Sequence, residues 1–305
     1  MASKQKKVKG AISMNQYVIY MDMSGDLDET FARDHDILFV PMMYTVGSQE
    51  NFCTTLEKEE DLKPFYAAQR KGIETRTSQV TPQQYIDIFR PWLEKGVDIL
   101  YLSLSSGLTK TFDSVRLAAR DLAEDYPQAA IYPVDTLSAT GGMGLLAEQA
   151  ALNREKGLSA RENMEALNEL RWKVCHIFMV DDLMYLKRGG RIDPTTALLG
   201  TALNIKPILV VDSRGKLPTI KKKRGVKLAM KEMVADYLAK RDPSLPSRVY
   251  VVHADCQDRA DEVIAQIRAV TPEADITRRM LCPVIGAHVG PGMFAVIFFG
   301  DRIDL

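Results

Sequence analysis

The chain has 305 residues, long for one compact core, so two domains are the natural division. Its composition, 46% hydrophobic and 26% charged, is that of an ordinary globular protein. Forty basic residues balance forty acidic ones, which excludes bulk attraction to nucleic acid or an anionic membrane, and no run approaches the roughly 18 apolar residues of a membrane span.

The opening MASKQKKVKG is basic and lacks the apolar segment of a secretory signal, so residues 1–15 are expected to form a disordered tail. From residue 16 to 157, strand-like and helix-like stretches alternate. YVIYMDMS (17–24) and DILFVPMMYTV (36–46) are predicted strands, and PQQYIDIFRPWLEKG (82–96) a helix whose Pro91 implies a break or kink. VDILYLSL (97–104) predicts a strand, FDSVRLAARDLAEDY (112–126) a helix, AAIYPVD (129–135) a strand and GGMGLLAEQAALNREKG (141–157) a helix. This alternation predicts an α/β first domain, 16–157, with a mainly parallel sheet flanked by helices.

Past Gly157 the pattern changes. Ser159 and Glu162 have capping-box spacing and open a helix, after which strand-like runs dominate: CHIFMVD, KPILVVD, KLPTIKK, RVYVVHAD and MFAVIFFGD. Helices are expected at PTTALLGTAL, GVKLAMKEMVADYLAK and CQDRADEVIAQIRAVT. A second, mixed-sheet α/β domain over 158–305 follows. The four cysteines are far apart with no C-x-x-C, which predicts reduced thiols and a cytoplasmic protein.

The stretch LSLSSGLTKT (102–111) carries a strand into two serines, a glycine and a helix. Ligands of parallel sheets bind beyond the strands' C-terminal ends, where helix N–H groups favour an anion. Ser105 and Ser106 add hydroxyl donors there and Gly107 permits close backbone approach; capping by Ser106 or Thr109 is the alternative, but with Thr111 and Ser114 the stretch has more hydroxyls than a cap needs. In TRTSQVTPQQY, Thr81, Pro82 and Gln84 fit a helix start, which leaves Thr77 and Ser78 upstream as further hydroxyls. The G-x-S-x-G elbow of a serine hydrolase is absent, and sequence alone places none of His35, His176, His253 and His288 beside a serine. His176 reads as a core residue, and His288, between Gly286 and Gly290, as a loop residue before a buried strand. No cluster has metal-ligand spacing and no nucleotide-binding motif is present. Arg188 and Arg191 bracket a Gly-Gly turn, and KKKR (221–224) reads as a solvated edge.

Together RTSQVTP, LSLSSGLTKTFDS, YPVDTLSATGGMGLL, DDLMYLKRGGRI, KKKRGVKLAM and GAHVGPGMFAV resemble, in order, the motifs of the DegV family. The resemblance implies one long-chain, palmitate-like fatty acid in a buried tunnel between two domains, no other cofactor and no catalysis by the chain itself. It implies a carboxylate held by Thr77, Ser105, Ser106 and His288, with one of the two serines dominant because side chains alternate along a strand. Arg191 (G-G-R-I) and Arg224 (K-x-R-G) are implied to orient the headgroup or contact a fatty acid kinase to which the acyl group is presented. Burying about 15 methylenes at ~0.8 kcal/mol each gives roughly 12 kcal/mol before ordering costs, so the tail should dominate affinity. The usual D-S-T-x-D-L opening reads DMSGDL (22–27) here, and Val80 stands where the family has proline. The second reading is a serine hydrolase of acyl substrates.

Overall fold

The computed structural model of the chain describes residues 17–193 and 204–304. The predicted basic tail and the PTTALLGTAL helix lie outside these described residues. Strands β1 (Val18–Asp22), β2 (Ile37–Val40), β3 (Met42–Val46), β4 (Gln49–Cys53), β5 (Thr75–Thr77), β6 (Ile99–Ser103) and β7 (Ile131–Asp135) come first. Four of them form a parallel sheet in the order β2-β1-β6-β7. The single strand expected over 36–46 is two strands. Pro41 has no N–H to continue a ladder, and the chain leaves the parallel sheet there to form a small antiparallel sheet, β4-β3-β5. The helix Pro82–Leu93 continues through Pro91, which lies two residues from its end.

Strands β8 (Val174–Met179), β9 (Ile205–Val210), β10 (Thr219–Arg224), β11 (Arg248–His253), β12 (Asp275–Met280) and β13 (Phe294–Phe299) follow. They build a mixed sheet ordered β10-β9-β8-β13-β11-β12, antiparallel except where β11 meets β12. The central strand β13 is buried throughout because both faces are covered. Phe294, Val296 and Phe298 pack toward the helices Val226–Lys240 and Gln257–Val270, while Ala295, Ile297 and Phe299 face the first sheet's side.

The helix Gly141–Glu155 lies between the two sheets, touching β1 and β6 on one side and β8, β11 and β13 on the other. Its sequence is apolar nearly all round, as such a position requires. Gly141 and Gly144 leave room for the Tyr250 ring, and buried Glu148 accepts from the Arg248 guanidinium (2.9 Å) and the Tyr250 hydroxyl (2.5 Å), tying helix to second sheet. The helix Ala160–Leu170 starts with the expected Ser159–Glu162 capping box but packs on β6 and β7. Asn163 fixes it there by donating to Ala150 O (2.8 Å) and the Tyr17 hydroxyl (2.7 Å). The layer around the first sheet therefore runs past Gly157 before the chain crosses into β8.

Candidate functional site

A cavity of about 460 Å³ opens between the C-terminal ends of β6 and β7 and one face of the second sheet. His176 and Phe178 of β8 stand opposite Ile297 and Ala295 of β13, and all four line it because alternate residues of paired strands share a face. Leu104, Leu186, Val211, Leu217, Val284, Val289 and Met293 complete a mostly apolar wall. The size falls in the range of about 300–1,000 Å³ usual for small-molecule sites.

Polar groups gather in one region. Thr77, at the end of β5, meets His288 with Oγ1 and Nε2 2.8 Å apart. The segment around His288, read from sequence as a loop, is a short helix, Pro283–Val289. Three buried contacts from distant parts of the chain hold it. The Tyr66 hydroxyl donates to Leu281 O (2.8 Å), Gln69 Nε2 to Gly286 O (3.0 Å), and the Cys282 N–H to Asp26 Oδ1 (2.8 Å). Burial, aided by the positive field of Arg191, pushes His288 down to about 4, so its imidazole is neutral at neutral pH. A neutral ring can donate from one nitrogen only, and its Nδ1 has no partner among the described residues. Arg191 Nε donates to Leu108 O (3.0 Å), which brings the guanidinium, the Ser106–Lys110 loop and His288 together. Burial lowers the Arg191 pKa.

The two serines part company. Ser106 is exposed to the cavity, while Ser105 is fully buried and does not line it. The Ser105 hydroxyl donates to Gly215 O (2.9 Å) and accepts from the Gly107 N–H (3.1 Å). A Cβ at Gly107 would overlap the backbone of Arg214 and Gly215, so the glycine admits another stretch of chain rather than a ligand. Ser105 and Gly107 thus dock the turn between β9 and β10, leaving Ser106 free. Thr109 accepts from the Thr111 N–H (3.2 Å) at the next helix start, and Thr81 and Gln84 form the expected capping box. Arg224 is exposed at the end of β10 and does not line the cavity.

Sequence reasoning gave no role to two buried aspartates, Asp22 at the end of β1 and Asp26 four residues beyond it. Asp22 accepts from the Leu104 N–H (2.8 Å) and from the hydroxyls of Tyr85 and Tyr101. Asp26 accepts from Thr140 (2.5 Å), a cavity residue, as well as from Cys282. Burial raises each to about 6, hydrogen bonds opposing it. They are the two acids of DMSGDL, and each fixes a part of the cavity wall.

No hydrogen bond among the described residues joins a serine hydroxyl to an imidazole. His288 Nε2 is engaged by Thr77, and His176, lowered to about 3 by burial, bonds Ala139. The described residues hold no cluster of three metal-ligating side chains.

Fold and cavity define an α/β architecture with two main sheets enclosing an apolar chamber with a neutral imidazole, hydroxyls and an arginine at one place in its wall. The chain belongs to the DegV family, described as uncharacterised proteins, whose profile matches residues 16–301. It is 37% identical over 290 residues to a DegV domain-containing protein of Clostridium perfringens, covering 94% of this chain and 99% of the relative. Among solved structures, DegV of Bacillus subtilis, described as a fatty acid binding protein, superposes with a TM-score of 0.80 at 25% identity over 95% of this chain and 100% of that one. The Streptococcus pneumoniae fatty acid kinase B3 protein, loaded with linoleic acid, shares the fold with a TM-score of 0.80 at 20% identity, over 93% and 99% of the two chains.

Proposed function

We propose that the protein binds one long-chain, palmitate-like fatty acid with its tail in the cavity and its carboxylate at Thr77, Ser106 and His288. The observation that carries this reading is the apolar chamber bordered by the Thr77–His288 pair. Ser106 and Thr77 supply O–H donors, the neutral imidazole at most one N–H, and Arg191 the compensating charge, which suits a carboxylate. The fatty-acid-binding description of the Bacillus relative supports the same ligand. Cavity and headgroup lie between an N-terminal and a C-terminal unit. The chain acts as a carrier that presents the acyl group to a fatty acid kinase, through Arg191 and the exposed Arg224. The kinase is inferred from the G-G-R-I and K-x-R-G motifs. Four free cysteines accord with a cytoplasmic setting, and among the described residues no helix is long and apolar enough to cross a membrane.

Calorimetric titration of lipid-stripped protein with hexadecanoic acid tests the reading. Saturation at one acid per chain, with no hydrolysis of acyl esters above background, is expected. An esterase activity abolished by Ser106→Ala would establish the hydrolase instead.

A further inference from the structure

Away from its polar end, the cavity wall holds a buried polar atom that the fold does not use. His176, on β8, is 3% exposed and lines the cavity opposite Ile297, two residues from Phe178. Its Nε2 lies 3.1 Å from Ala139 O and 3.4 Å from the Ala139 N, and this edge abuts Gly142 so closely that a Cβ there would overlap it. The shorter contact is to a carbonyl, which only accepts, so the ring proton sits on Nε2. Burial, with the field of Arg302, pushes the ring down to about 3, so it carries no second proton at neutral pH. Nδ1 is therefore a bare acceptor, and it has no partner among the described residues. Arg302 gives its Nη atoms to the carbonyls of Asp212, Leu137 and Arg171 instead.

An acceptor left bare in an apolar wall destabilises the protein, and a leucine at the same place would not. Thr140, another polar residue of the cavity, is satisfied within the protein because its hydroxyl donates to Asp26. Position along the cavity narrows what could meet the imidazole. Met293, Ala295 and Ile297 line the cavity at alternate positions leading away from the helix that bears His288. His176 stands opposite Ile297, four residues past Met293, which is about 14 Å at strand spacing. At ~1.2 Å per bond, an extended chain whose carboxylate sits at Thr77 and His288 passes His176 at about its tenth to twelfth carbon. A hydroxyl on that part of the chain would donate to Nδ1, whereas an oxo group has no proton to give.

We propose that His176 is a specificity-determining residue for long-chain acids bearing a mid-chain hydroxyl, its Nδ1 accepting the ligand's O–H inside the apolar cavity. The inference rests on the fatty-acid reading above and names a class of acid within it. Hydroxylated chains satisfy the imidazole that a plain alkyl chain leaves bare.

The probes are 10-, 11- and 12-hydroxyoctadecanoic acids, their oxo counterparts and octadecanoic acid, compared by displacement of a fluorescent fatty acid. The parent should bind the best hydroxy acid at least as tightly as octadecanoic acid, and the matching oxo acid about tenfold more weakly. His176→Leu should weaken that hydroxy acid by about tenfold relative to octadecanoic acid, whose own affinity should stay within about threefold of the parent's. The parent alone supplies a second readout. The nitrogen resonance of His176 Nδ1 should move upfield when the hydroxy acid replaces octadecanoic acid, as that of an acceptor gaining a hydrogen bond. If octadecanoic acid binds but the parent weakens hydroxy and oxo acids alike, or His176→Leu leaves the ratio of hydroxy to plain acid unchanged, the His176 contact is wrong while the carrier reading stands. If the parent binds none of these acids, the carrier reading itself fails.

Discussion

Thr77→Val removes one hydroxyl at nearly constant volume, at the point where the apolar cavity meets its polar wall. In the free protein the hydroxyl is 2.8 Å from His288 Nε2, and the ring's other nitrogen is buried without a partner among the described residues. The variant therefore leaves the imidazole without a side-chain partner, at a cost of about 1–3 kcal/mol of stability. In the proposed complex the same hydroxyl would face the fatty acid's carboxylate. A hydrogen bond to a charged group contributes about 1.5–3 kcal/mol, so affinity for hexadecanoic acid should fall by roughly ten- to a hundredfold. Hexadecanol carries the same tail without the charge, and its affinity should change by no more than about threefold. Parallel displacement titrations of the two ligands, with thermal unfolding as a control, read the difference. An equal loss for acid and alcohol would mean that valine only deforms the chamber. Unchanged acid binding would remove Thr77 from the carboxylate site.

The two serines should separate by readout. Ser106→Ala should weaken hexadecanoic acid by about tenfold with little effect on unfolding, whereas Ser105→Ala should cost about 1–3 kcal/mol in denaturant unfolding and spare affinity. Reversal of that pattern would mean the Ser105 hydroxyl turns into the cavity. Asp22, raised from 3.8 to about 6 by burial, favours folding while protonated, and that contribution fades as pH rises through about 6. A shift of this size corresponds to about 3 kcal/mol at most. Asp22→Asn does not ionise, so its stability deficit relative to the parent should shrink between pH 4 and 7.5. A pH-independent deficit would show that Asp22 titrates normally.

Much of the architecture is written in local pattern. Alternating strands and helices up to Glu155 gave the parallel sheet, and the strands after Lys173 gave the mixed one, because hydrophobic runs and capping residues act over a few positions. What local pattern does not contain is where a helix docks. The Ala160–Leu170 helix starts at a legible capping box, yet it is Asn163 bonding Ala150 and Tyr17 that assigns it to the first sheet. The same limit governs the site. Thr77, Ser106, His288 and Arg191 were recoverable as residues left over once helix caps were accounted for, or as family motifs, and they do line one cavity. Strand alternation predicts that one of Ser105 and Ser106 dominates but not which, because the partner that occupies Ser105, Gly215, is 110 positions away in the chain. The helix bearing His288 looked like a loop because its glycines mark it so, while the Tyr66, Gln69 and Asp26 contacts that stabilise it come from the other end of the sequence.

The central claim is that the apolar chamber holds an acyl chain. The direct measurement is mass spectrometry of lipid extracted from the purified protein under denaturing conditions, quantified against protein. The account predicts an intact long-chain fatty acid approaching one per chain. A protein that carries no lipid, and that takes up none when hexadecanoic acid is added, would contradict it.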